Sequence, residues 1–209
     1  EDAELKVMGH NLSSDSTFID IGANFGLYSL SASQKITKEG EILCFEPFPQ
    51  NYRALTNNIS RNNLSMITAE NMAIGDQEGS LKLYYNPNEY NLGMVSANYI
   101  ENADFHKVEM ISLDSYLNSN PRQRIDFIKI DVEGFEYQAL LGMKNTLAQF
   151  GPLILIEILD EMDSKENANN VHIFLVELGY KKHYIDDKGS LSDTNVNNNR
   201  KNYLYQKSA

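Results

Sequence analysis

Asp20, Gly22, Asn24 and Gly26 stand at alternate positions in FIDIGANFG, directly after an apolar run. Glycine lets backbone approach a ligand closely, and a helix that begins there offers its free N–H groups. Glu46 closes a second apolar run, EILCFE, 26 residues beyond Asp20. A carboxylate in that place can accept two hydrogen bonds from a ribose diol. Together the signals fit an adenosine-containing cofactor, with NAD and S-adenosylmethionine as the main choices. A dinucleotide turn needs GxGxxG. A frame opened at Gly22 gives Gly22, Asn24 and Leu27 instead. Asp20 is a poor neighbour for pyrophosphate and a good one for the ammonium of a methionine moiety, directly or through water. The residues therefore favour S-adenosylmethionine. The competing reading is a turn whose glycines serve only helix–strand packing, and Glu46 speaks against it.

A second constellation lies in KIDVEGFE, which places Lys129, Asp131, Glu133 and Glu136 within eight residues. An alcohol is a poor nucleophile at neutral pH, so its transfer chemistry needs a base or a metal. Asp131 and Glu133 are the candidate catalytic carboxylates. Asp131 and Glu157, which ends LILIE, are alternatively a candidate pair for a hard divalent cation. Strand alternation puts Lys129 on the same side as Asp131. The bland alternative is that Asp131 caps the following helix while Glu133 and Glu136 favour its positive end. His106 and His183 are lesser candidates for the base. The four histidines show no HxxxH or HxH spacing, and Cys44 is the single cysteine, so there is no zinc motif and no internal disulfide.

The elements that must position these groups alternate in period. Thr17–Ile21, EILCFEP, MITAENMAI, SLKLYY, VEMISL, IDFIKID, LILIEI, KKHYI and NYLYQK read as strands. Helices are expected from about Leu27 to Ile36, from Pro49 along QNYRALTNNISRNN, over LDSYLNS with Ser112 as cap, over GFEYQALLGMKNTLAQF, and over NANNVHIFLVELGY. The polar, irregular stretch 86–107 reads as a long loop or lid. The alternation predicts a parallel sheet covered by helices on both faces, an α/β fold with its ligands beyond the carboxyl ends of the strands. The chemistry-bearing residues fall just there: Asp20 to Gly26, Glu46, Asn71, Asp131 to Glu133, and Glu157.

The length, 209 residues, fits one domain spanning 1–209, with 42% apolar and 22% charged residues as in globular chains. It opens on Glu1 rather than Met, which leaves room for a longer parent. The net charge of -11 argues against a nucleic-acid partner, which needs a basic face. No apolar run reaches membrane-spanning length and no signal-peptide pattern opens the chain, so a cytoplasmic location is expected. The sequence leaves oligomeric state open.

The stretches FIDIGANFGLYSL, CFEPFPQNYRALTNNI, NMAIGDQEG, ISLDSYL and IDFIKIDVEGFEYQALLG run in one order over roughly residues 17 to 160. In these the chain resembles the FkbM family of S-adenosylmethionine-dependent methyltransferases, IKIDVEGFE after LDSYL being the most specific piece. The resemblance implies a Rossmann-like class I fold, a seven-stranded, mostly parallel sheet with a final antiparallel strand. It implies methyl transfer to oxygen, on a hydroxyl of a sugar, glycan or natural product. Carried over by residue, Asp20, Gly22, Asn24 and Gly26 line the methionine part. Glu46 holds the ribose with Pro47 shaping the turn, Met72 and Ala73 border the adenine, and Asp131 lies near the transferring methyl. A nicotinamide-dependent oxidoreductase and a non-catalytic cofactor-binding module are the rival readings.

Overall fold

The computed structural model describes residues 1–86, 95–97, 100–101, 103–158, 165–194 and 201–208. A helix α1 (Asp2–Asn11) precedes β1 (Thr17–Ile21), α2 (Leu27–Ala32), β2 (Glu41–Phe45), α3 (Pro49–Arg61) and β3 (Ile67–Glu70). Then come β4 (Ala73–Ile74), β5 (Gly79–Tyr85), β6 (Asp104–Ile111), α4 (Leu113–Ser119) and β7 (Phe127–Ile130). The chain continues through α5 (Glu136–Leu141), α6 (Lys144–Phe150), β8 (Leu153–Glu157), α7 (Lys165–Glu177), β9 (Tyr180–Ile185), β10 (Leu191–Ser192) and β11 (Asn202–Lys207).

The main sheet runs β10-β9-β11-β8-β7-β1-β2-β3. Strands β3, β2, β1, β7 and β8 are parallel to one another, and β11 is antiparallel to both β8 and β9. The sheet thus has eight strands where seven were expected. The eighth is the two-residue β10, which folds back on Tyr184 and Ile185.

The central strands are apolar on both sides because helices cover both faces. Ile19, Ile21, Leu43, Phe45, Ile128 and Ile130 point into one core, which α4, α5, α6 and α7 complete through residues such as Leu117, Leu140, Leu147 and Phe174. Phe18, Ile42, Cys44 and Phe127 point into the other, with Val7 and Met8 of α1, Tyr28 and Ala32 of α2 and Leu55 of α3. Strand pleat fixes this division, so Asp20 and Lys129 belong to the face of Phe18 and Phe127, the side of α1, α2 and α3.

Four expectations need correction. MITAENMAI is not one strand, since β3 joins the main sheet while β4 enters a separate sheet, β4-β6-β5. The helix expected over GFEYQALLGMKNTLAQF divides into α5 and α6 at Gly142, where a Cβ would lie 1.8 Å from the Gly75 carbonyl oxygen. The loop expected over 86–107 gives up residues 104–107 to β6, and Ser96 forms an antiparallel bridge with Tyr84. Residues 87–94, 98, 99 and 102 of that stretch lie outside the described residues. Finally, α2 stops at Ala32 rather than near Ile36.

Candidate active site

A cavity opens beyond the carboxyl ends of β1, β2 and β7. One wall is the turn after β1, with Gly22 and Asn24, beside Glu46, Pro47 and Phe48 after β2. The facing wall is Asp131, Val132 and Glu133 after β7. Ala73 of β4, Leu81 and Leu83 of β5, and the segment with Val95 and Ala97 give it an apolar side. Strands that all end at one level leave such a crevice by construction.

Each wall has a local cause. Gly22 has φ +77°, and a Cβ there would lie 1.8 Å from the Asp131 carbonyl oxygen. Only glycine lets the ends of β1 and β7 approach so closely. Asn24 also has positive φ, +52°, a region asparagine tolerates. Its backbone N–H donates to one Glu46 carboxylate oxygen at 2.7 Å, and the Phe48 N–H donates to the other at 2.8 Å. Burial raises the Glu46 carboxyl to about 7 in spite of those two bonds. Asn71 ties the same turn down, donating to the Glu46 and Pro47 carbonyls at 2.9 and 3.0 Å.

Glu133 has φ +50° and is followed by Gly134 at +94°. A glutamate held there carries a local cost of about 1–3 kcal/mol. The buried Glu136 carboxylate offsets it by accepting the Gly134 N–H at 2.9 Å and a bond from the Asn167 side-chain amide of α7. Asn167 in turn accepts the Tyr137 N–H at 3.1 Å. Burial, then the like charges of Asp131, Glu157 and Glu136, raise the Glu133 carboxyl to about 7, with Lys201 opposing. Glu157 is raised by the same causes, burial first and Asp131 next.

Of the residues singled out from sequence, Gly22, Asn24, Glu46, Pro47, Ala73, Asp131 and Glu133 line the cavity. Asp20, Gly26 and Met72 do not. Gly26, at φ +96°, admits the close approach of Leu30 and Leu55, and Met72 packs against the core. Asp20 is fully buried beneath the cavity floor, where Ser29 Oγ donates to it and Lys129 Nζ lies 3.9 Å away. Glu157 ends β8, next to β7. Among the described residues no three His, Cys, Asp or Glu side chains converge as a metal site. His183 pairs with Asp193 at 3.0 Å on β9, and His106 stacks on Tyr85, so neither lines the cavity.

Sequence reasoning missed the apolar side. Leu81 and Leu83 alternate along β5, a signal that was available, but Val95 and Ala97 carry no pattern that marks them. It also underrated Lys129, which bridges the site from below: its Nζ donates to Asp131 Oδ2 at 3.0 Å and to the Gly22 carbonyl at 3.5 Å, and lies 4.7 Å from the Tyr28 ring centroid. Desolvation opposes its charge, but Asp131 and Asp20 outweigh it and hold the ammonium above its ordinary range.

Residues 20–182 match the family described as Methyltransferase FkbM domain. Among curated proteins, Methyltransferase sdnD of Sordaria araneosa is 31% identical over 162 residues, covering 64% of this chain and 62% of the relative. The hexuronic acid methyltransferase AglP of Haloferax volcanii is 25% identical over 152 residues, covering 73% and 59%. The matches thus span less than two thirds of these curated relatives. Among solved structures, Methyltransferase FkbM of Methylobacillus flagellatus superposes with a TM-score of 0.60 at 18% identity, covering 93% of this chain and 44% of that one. An O-methyltransferase of Bacillus cereus in complex with SAH gives 0.55 at 13% identity, covering 98% and 77%. At these identities the structural likeness shows the fold, a class I methyltransferase architecture.

Proposed function

The chain belongs to the FkbM methyltransferase family, and we propose that it is an S-adenosylmethionine-dependent O-methyltransferase acting on a hydroxyl of a sugar, glycan or natural product. One observation carries the reading. Glu46, fixed by two backbone N–H groups, shares a cavity with Asp131 and Glu133 on the facing wall. A diol-binding acid and a proton-accepting acid across one crevice are what cofactor binding and alcohol activation each require.

The residues present fit that cofactor. Glu46 retains acceptor capacity for a ribose diol beyond its two backbone bonds, Gly22 and Asn24 border the methionine part, and Ala73 with Pro47 borders the adenine. When bound, S-adenosylmethionine supplies a methyl carbon activated by its sulfonium. The protein then has to align a hydroxyl behind that carbon and exclude water. The apolar side of Leu81, Leu83, Val95 and Ala97 excludes water, and Asp131 faces the reacting centre. Glu133, with a carboxyl at about 7, is matched to taking the hydroxyl proton near neutral pH. The named relative that methylates hexuronic acid supports a sugar-like acceptor.

The test is calorimetry with S-adenosylhomocysteine and NAD, followed by transfer of labelled methyl to a panel of uronic acids, neutral sugars, polyketide alcohols and a structured RNA. Methylation of a hydroxylated small molecule supports the reading. NAD binding in place of the adenosyl thioether overturns it. Preferred methylation of RNA overturns the acceptor class, and cofactor binding without turnover of any acceptor assigns a binding module instead.

A further inference from the structure

We propose that Lys129 is the positioning residue of this site, the group that holds the Asp131 carboxylate in the cavity wall and ties it to the turn after β1. The inference rests on the reading that the cavity takes an S-adenosyl cofactor with Asp131 facing the sulfonium. Asp20 and Lys129 are register partners in the parallel β1–β7 ladder, so both side chains emerge on one face of the sheet. Lys129 is 5% exposed and Asp20 fully buried. From there the Lys129 ammonium reaches forward to Asp131 Oδ2 at 3.0 Å and to the Gly22 carbonyl at 3.5 Å, with Asp20 Oδ1 behind it at 3.9 Å. Asp131 follows the last residue of β7 and its side chain is 29% exposed, so little else confines it. Among the described residues, the Lys129 ammonium is the one hydrogen-bond donor to the Asp131 carboxylate.

The arrangement divides the labour among three charges. Asp20 anchors the ammonium, the ammonium orients Asp131, and only Asp131 meets the cavity. Asp20 and Lys129 offset one another, so of these three groups Asp131 carries the charge that a ligand meets. The acid before the glycine turn therefore acts on the ligand through Lys129 rather than by contact.

Removing Lys129 alone strands Asp20 in the core, so Lys129→Met tests folding as much as positioning. The decisive variant is Asp20→Asn with Lys129→Met, which keeps both shapes and keeps the local net charge. Calorimetry with S-adenosylmethionine and with S-adenosylhomocysteine, without acceptor, reads the field at sulfur, and thermal melting reads the fold. The double variant is expected to melt within a few degrees of the native chain, while its preference for the sulfonium over the thioether falls about tenfold as Asp131 loses its anchor. A folded variant that keeps the native ratio within about twofold overturns the inference and leaves the cofactor reading standing. Binding of neither compound by the native chain overturns the cofactor reading, and this inference with it.

Discussion

The Glu46 carboxylate accepts the backbone N–H of Asn24 at 2.7 Å, so the end of β2 holds the turn after β1 in place. Asn24 sits at φ +52°, and without that bond its left-handed conformation has one partner fewer. The residue that would bind a ribose is therefore also the one that shapes the methionine side of the cavity. Glu46→Ala should act on both. Lost charge-assisted bonds alone cost about 1.5–3 kcal/mol. S-adenosylhomocysteine affinity should fall by at least that amount, measured by calorimetry. Unchanged affinity would retire the ribose assignment.

Stability of the free protein should decline as pH rises from about 5 to 8. Glu46 and Glu133 are each raised from 4.5 to about 7. Between those values the folded chain binds more protons than the unfolded one, so raising pH removes stability. Glu136 and Glu157 are raised as well and add in the same direction. His172 opposes them. Its pKa is lowered, so its contribution is present above 6.5 and is lost as pH falls. Its partial exposure keeps that term smaller. Cofactor binding should run the other way, tightening through pH 7 as Glu46 ionises to accept a diol. Thermal melts from pH 5 to 8, with and without S-adenosylhomocysteine, read both trends. A melting temperature of the free protein that climbs over this window contradicts the buried-carboxylate picture.

The central strands were legible because their apolar runs are bounded by turn residues: TFIDI is β1 and LILIE is β8. The orientation of Asp20 was not. All five residues of β1 are buried, so no alternation in polarity marks which side faces the ligand. An acid at the end of such a strand reads as ligand-facing, and only the ladder register with Lys129 shows that it points beneath the floor. The small second sheet escaped notice for a related reason. The first half of β6, DFHK, mixes charge and aromatics because Asp104, Phe105 and Lys107 are exposed and only His106 is half-buried. Gly142 reads as tolerable inside a helix. Its role appears only when Gly75, distant in sequence, is seen against it.

Asn167 does not line the cavity, yet its substitution should be felt there. Its side chain bonds both Glu136 and the Tyr137 N–H, and Glu136 secures the left-handed turn that presents Glu133. Asn167→Ala frees that turn to relax. S-adenosylhomocysteine affinity should change by less than about threefold, while turnover falls about 10-fold or more from a misplaced base. Equal losses in both would mean that the network supports the fold in general rather than Glu133.

Asp131 and Glu133 line the same wall but should fail differently. Each neutral variant, Asp131→Asn and Glu133→Gln, keeps size and much of the hydrogen bonding. If Glu133 takes the hydroxyl proton, Glu133→Gln should lower turnover about 10²–10⁴-fold and abolish the acid limb of the rate profile. That limb should lie near 7, the value its surroundings impose. Glu46 titrates in the same region, so the profile has to be taken at saturating cofactor, where a bound diol holds Glu46 ionised. Asp131→Asn should also lower turnover, because the charge facing the sulfonium is gone, but the limb should persist. A metal role makes a separate forecast: added Mg²⁺ or Mn²⁺ would partly rescue Asp131→Asn or Glu157→Gln, and a chelator would inhibit the native enzyme. Near-native turnover of Glu133→Gln with its limb intact would move the base to Asp131. The same result for both variants would leave neither carboxylate in the chemistry.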